Sequence, residues 1–121
     1  MPNEKECICP SVKKGQALGI SISEANWQRT VIELAHIFGW AIHAERHALT
    51  KDGHWLTPIQ GDAGFPDLVL ARCKDGKRRI IFAELKSEKG ALTKAQKEWL
   101  DLLGGYLWKP SGYEIVKALL E

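Results

Sequence analysis

Apolar positions Trp27, Val31, Leu34, Ala35 and Phe38 recur at three- and four-residue spacing, and Gly39 closes the run, so the pattern predicts a helix with one buried stripe. Its start is marked by Ser21 with Glu24 three residues on, or by Ser23 as the N-cap. Trp40 to Glu45 then alternates apolar and polar residues, as a short strand does. Arg46 to Gly64 loses all period, with three glycines and one proline, and reads as a long loop of the kind that carries function or moves. Two runs rich in Val, Ile, Leu and Phe follow, Pro66 to Cys73 and Arg79 to Lys86. Lys74-Asp75-Gly76-Lys77 separates them, and Asp-Gly between apolar runs is a strong hairpin signal. Thr93 with Gln96 forms a capping box, Ala95, Trp99, Leu102 and Leu103 form the inward stripe of a second helix, and Gly104-Gly105 ends it. Tyr106 to Lys109 is a fourth short strand, Pro110-Ser111 a turn, and Tyr113 to Leu120 a terminal helix. The fold class is α/β in the order α-β-β-β-α-β-α. Residues 1–21 form a tail or arm and residues 22–121 a single domain.

Composition narrows this. At 45% hydrophobic and 26% charged residues, the 121-residue chain has the makeup of one globular domain rather than of a disordered segment. No apolar run approaches the roughly 18 to 20 residues that cross a bilayer, and Met1 to Pro10 lacks the apolar core of a signal peptide. The expectation is therefore a cytoplasmic protein with no membrane partner. Three cysteines are an odd count, and Cys7 and Cys9 have no second Cys/His pair at zinc spacing, so free thiols are expected. His36, His43, His47 and His54 are scattered between helix, strand end and loop, and suggest no metal site. The net charge of +2 is uneven. From Arg72 to Lys97 nine cations face three acids, a segment of +6, which leaves −4 for the remainder. Such polarisation fits either a face for an anionic partner or a solvated surface.

The candidate chemistry appears when the hairpin is folded on paper. With Asp75-Gly76 as a two-residue turn, paired positions sum to 151, and Asp67 falls opposite Glu84. Directly opposed side chains have Cβ atoms about 5 Å apart, where like charges destabilise. Lys86, two residues beyond Glu84, projects from the same face. Glu84 and Lys86 interrupt the run Ile80-Ile81-Phe82-Ala83, and charges in a central strand are costly unless paired or metal-bound. Three readings remain open on the residues alone: an exposed, water-screened face, a metal-free acid/base pair, and a divalent cation bridged by Asp67 and Glu84. Hard oxygen ligands favour Mg²⁺ or Mn²⁺ in the last case. Two carboxylates, a cation and a lysine suit phosphodiester hydrolysis, and the surrounding positive charge suits a phosphate backbone.

Gly64-Phe65-Pro66-Asp67-Leu68 and Phe82-Ala83-Glu84-Leu85-Lys86 resemble the two halves of the PD-(D/E)XK nuclease signature. Gly90-Ala91-Leu92-Thr93 with Gln96 and Trp99, and Trp108-Lys109-Pro110-Ser111, resemble more narrowly its VRR-NUC (virus-type replication-repair nuclease) branch. The resemblance covers roughly residues 22–120. It implies a restriction-endonuclease-like core, a mixed central sheet flanked by helices, and metal-dependent endonuclease cleavage of DNA. Branched DNA of the Holliday-junction type is the implied partner, and a homodimer the implied assembly. Asp67 and Glu84 would be metal ligands with the backbone carbonyl of Leu85, Lys86 would assist the attacking water, and Gln96 would line the site. Glu24 would be a further acid at the metal, or else a helix cap; Asp62 would be an outer acid or a turn residue. Arg72, Lys74, Lys77, Arg78, Arg79, Lys89, Lys94 and Lys97 are the candidate DNA contacts, with Trp55 as a stacking residue. The alternatives are a non-cleaving nucleic-acid-binding module on the same fold and a small-molecule phosphohydrolase.

Overall fold

The computed structural model describes residues 22–44 and 60–121, together with the backbone of 48–49 and 55–56. The expectations for the arm 1–21, for Cys7 and Cys9, and for the side chains of His47, His54 and Trp55 lie outside the described residues. Helix α1 runs Glu24–Ile37, and its N-cap is Ser23, whose Oγ accepts from the backbone N–H of Asn26 at 3.1 Å. Trp27, Val31, Leu34 and Ala35 are its buried stripe, as the spacing predicts. Strand β1 (Ala41–Ala44) follows, then β2 (Ala48–Leu49) and β3 (Trp55–Leu56), β4 (Leu68–Lys74), β5 (Lys77–Leu85), α2 (Lys94–Leu103), β6 (Tyr106–Trp108), a 3₁₀ turn at Pro110–Gly112 and α3 (Tyr113–Leu120). The four-stranded sheet has the order β1-β4-β5-β6, antiparallel except for the parallel pair β5–β6. This is the expected mixed sheet flanked by helices. One correction concerns the stretch read as loop: β2 and β3 pair there as a separate antiparallel ladder, Ala48 opposite Leu56 and Leu49 opposite Trp55. Two-residue strands are too short to show a period.

Alternation divides the sheet into two faces. Leu68, Leu70, Ile81, Ala83 and Leu85 form the buried face, in one core with Trp27 and Val31 of α1, Val116 and Leu120 of α3, Trp40 and Trp108. Two of these indoles end on carbonyls, Trp27 Nε1 donating to Trp108 O at 3.0 Å and Trp40 Nε1 to Leu120 O at 2.9 Å, which satisfies donors that burial would otherwise strand. The other face carries Asp67, Val69, Ala71, Ile80, Phe82 and Glu84. It is covered mainly at one end, where Phe65 stands edge-on to Phe82 and to Trp99 of α2. The α2 stripe needs correcting. Leu100 is its buried residue, Trp99 is half-buried with its Nε1 donating to Ala63 O, and Leu102 is 81% exposed. Helix α2 covers only that end, so a narrower set of positions is buried than its amphipathic pattern suggests. Among the described residues no helix is long and apolar enough to cross a membrane.

Candidate active site

The β4–β5 pairing runs from Leu68 opposite Ala83 to Lys74 opposite Lys77, and each pair sums to 151. Asp75 and Gly76 take φ of 54° and 76°, the left-handed pair that a two-residue turn needs to match strand twist. The next rung beyond Leu68 and Ala83 is Asp67 and Glu84, so the expected register holds to the edge of the site. Asp67 is 7% and Glu84 2% exposed, which removes the water-screened reading.

Each acid is held by what surrounds it. Asp67 Oδ2 accepts from the backbone N–H of Leu85 at 3.0 Å. Gly64 brings Asp67 into place, because its φ of 100° and a gap that leaves a Cβ only 2.7 Å from the Ala95 carbonyl carbon admit glycine alone. Glu84 lies in β5, with β4 on one side and β6 on the other. Its Oε2 accepts from Gln96 Nε2 at 3.2 Å and lies 3.9 Å from Lys86 Nζ. Its Oε1 is buried and has no hydrogen-bond partner among the described residues. Burial, then the side chain and charge of Asp67, push the Glu84 carboxyl up to about 9, with Lys86 opposing and Glu24 adding to the rise.

Lys86 follows the end of β5, and its N–H donates to Trp108 O at 3.1 Å. Gly90 packs against its stem, since a Cβ there would sit 3.1 Å from Lys86 Cβ. Gln96 bonds both to the helix start and to Glu84. Its Oε1 accepts from Thr93 N–H at 2.9 Å while Thr93 Oγ1 accepts from Gln96 N–H at 3.1 Å, the reciprocal capping box. Its amide nitrogen is thereby turned toward Glu84. Glu24 is exposed on the first turn of α1, near enough for its charge to act on Glu84, and Ser23 rather than Glu24 caps the helix. Among the described residues no three His, Cys, Asp or Glu side chains form a cluster able to hold a metal. Asp62 is exposed, five residues before Asp67, as are His36 and His43.

The positive segment, continuous in sequence, is divided by the fold. Lys86, Lys89, Lys94 and Lys97 stay near the acids along the chain, Lys97 paired with Asp101 at 3.3 Å. Arg72, Lys74, Lys77, Arg78 and Arg79 lie toward the hairpin's far end, from about 17 Å along the strand at Arg79 to about 23 Å at Lys77, counted from Glu84. Arg72 is also tied into the fold, which its sequence position did not reveal. Its Nη1 donates to Phe38 O and Leu120 O at 2.9 Å each, and its guanidinium lies 4.3 Å from the centre of the Trp40 ring. The C-terminal carbonyls of α1 and α3, which have no partner within their helices, explain the arrangement, being partial negative charges that attract a cation.

A mixed sheet with two opposed acids before and within adjacent strands, and a lysine two residues beyond the second acid, matches the layout of a PD-(D/E)XK nuclease. The VRR-NUC domain model matches residues 12–106, and the chain belongs to that family of nucleases. The match begins at residue 12, ten residues before the span 22–120 over which the resemblance runs, and stops before Trp108-Lys109-Pro110-Ser111. Curated proteins and solved structures gave no match.

Proposed function

We propose that the chain is a metal-dependent endonuclease that hydrolyses phosphodiester bonds in DNA, in the cytoplasm, with branched DNA as its preferred substrate and a homodimer as its working form. The observation that carries the metal is the buried Asp67–Glu84 pair, with Glu84 Oε1 unpartnered among the described residues, because two like charges held out of water call for a cation or a shared proton. The donor set fits: Asp67, Glu84 and the Leu85 carbonyl are hard oxygens suited to Mg²⁺ or Mn²⁺. When bound, such an ion supplies Lewis acidity and a lowered pKa for water.

The chain's own residues do the rest. Lys86 Nζ places a positive charge beside the acids, where it can orient water and offset charge developing on the phosphate. Gln96 positions Glu84 by fixing Oε2, and Asp67 is oriented by the Leu85 amide. Lys89, Lys94 and Lys97 supply attraction for the cut strand's phosphates. Branched DNA and pairing of two copies rest on the family resemblance, and on the small duplex area one copy of this size covers.

Cleavage of plasmid and four-way-junction DNA tests this. Cutting is expected with Mg²⁺ or Mn²⁺, none in EDTA, and a loss of about 10³-fold or more in Asp67→Ala. DNA binding without cutting under any metal would leave the non-cleaving module as the function.

A further inference from the structure

The far end of the β4–β5 hairpin carries a charge arrangement that the active site does not use. Arg72 stands opposite Arg79 and Lys74 opposite Lys77, two like-charged rungs in succession. By alternation all four side chains leave the sheet on the face of Leu68, Leu70 and Ile81. They line a groove of about 340 Å³ with Asp75 and Glu121. Carbonyl oxygens take up two of them, Arg72 on Phe38 and Leu120, and Lys74 Nζ on Glu121 O at 2.8 Å. Among the described residues no hydrogen bond or ion pair reaches the side chain of Lys77 or Arg79. Four cations against two acids leave the groove at +2, beside the exposed Arg78 on the sheet's other face.

We infer that this groove is a second phosphate-binding surface, which holds a stretch of nucleic acid other than the one being cut. Two rulers separate it from the acids. Along β5 the distance from Glu84 is about 17 Å to Arg79 and about 23 Å to Lys77. Helix α1, with Glu24 at the acid end and its C-terminus capped by Arg72 at the other, spans about 21 Å over its 14 residues. The acids and the groove also lie on opposite faces, Asp67 and Glu84 toward α2, the groove beside the C-terminal ends of α1 and α3. A duplex seated on the acids would have to turn round the sheet within about 5 to 7 base pairs, whereas DNA stays straight over about 150. A second arm of a branched molecule reaches the groove without bending. Opposed cations are unfavourable in the free hairpin, and an anion between them removes that cost.

The inference rests on the reading of the chain as acting on DNA, and its test is separate from cleavage. Affinities of the full chain and of Lys77→Gln/Arg79→Gln are measured in EDTA, against a linear 20-base-pair duplex and a four-way junction, over a series of salt concentrations. For the junction the double variant should lose about 10-fold in affinity near 0.1 M salt, with the slope of log affinity against log salt reduced by nearly two, as two lost phosphate contacts require. The linear duplex should lose less than twofold. The variant's thermal midpoint at low salt should be no lower than that of the unaltered chain, since repulsion has been removed, which excludes misfolding as the cause. A junction that loses no more than the duplex, or an unchanged salt slope, overturns the inference. Absence of cutting on every DNA would overturn the nuclease reading and leave this comparison valid.

Discussion

One hairpin places like charges opposite each other at both of its ends, acids beside α2 and cations at the turn, and the two ends resolve the conflict differently. The difference is water. Two unit charges about 5 Å apart repel by roughly 0.8 kcal/mol in bulk water and about four times that at the effective dielectric of a protein surface. The cation rungs Arg72–Arg79 and Lys74–Lys77 are largely exposed, and backbone carbonyls take up half of them, so the folded chain tolerates them unliganded. Asp67 and Glu84 are buried, and only a proton or a cation relieves them. A like-charge pair is thus informative in proportion to its burial: the acid end needs a proton or a cation to relieve it, whereas water and carbonyls already relieve the cation end.

The largest effect that would break this contrast is the pH dependence of stability without metal. The Glu84 carboxyl is raised from 4.5 to about 9 by burial and by Asp67, so the folded chain holds that proton more tightly than the unfolded chain. Stability from this group is then complete below pH 4.5 and is lost progressively as pH rises toward about 9. In EDTA the urea midpoint should fall between pH 5 and pH 8, and millimolar Mg²⁺ should reduce the fall by binding the folded form. Glu84→Gln should flatten the profile in EDTA. A profile equally steep in that variant would mean that the acid end is no more strained than the cation end.

Arg72 sharpens the other side. Although it sits in a like-charged rung, its guanidinium serves the carbonyl ends of two helices and the Trp40 ring. Arg72→Met, which keeps the apolar stem, should cost about 2 to 3 kcal/mol in urea denaturation. Its effect on the salt slope of DNA binding should be under one unit. Lys77→Gln/Arg79→Gln should show the reverse pattern. A harmless Arg72→Met would place Arg72 with the free cations.

The hairpin was legible because its signals are local. An Asp-Gly turn sets the register, and the register sets which acids meet. Three things were hidden for physical reasons. The β2–β3 ladder lies in strands too short to alternate. The exposure of Leu102 depends on how little of the sheet α2 covers, which no helical period records. The break in the positive segment follows from the hairpin itself, because a turn at Asp75-Gly76 sends Arg72 and Lys77 to one end and Lys86 to the other. Charge alone marks Arg72 as a DNA contact, whereas the carbonyls it serves come from residues more than 30 positions away.

Gln96 joins the acid end to helix α2, and the smallest predicted effect separates its two bonds. Thr93→Ala removes the N-cap hydroxyl and should cost about 1 kcal/mol of stability, with little change in cleavage per folded molecule, because the amide can still reach Glu84. Gln96→Glu keeps an oxygen for the Thr93 amide, so the cap survives, but it sets a third carboxylate against Glu84 Oε2 in place of a donor. Cleavage should fall about 10- to 100-fold, the usual scale for a group that orients a metal ligand, and the concentration of Mg²⁺ giving half-maximal rate should change. That last readout is the decisive one, since a purely structural loss would lower the rate at every Mg²⁺ concentration alike. If the two variants lose activity only in step with their stability, Gln96 belongs to the helix alone, and Glu84 is positioned by its strand.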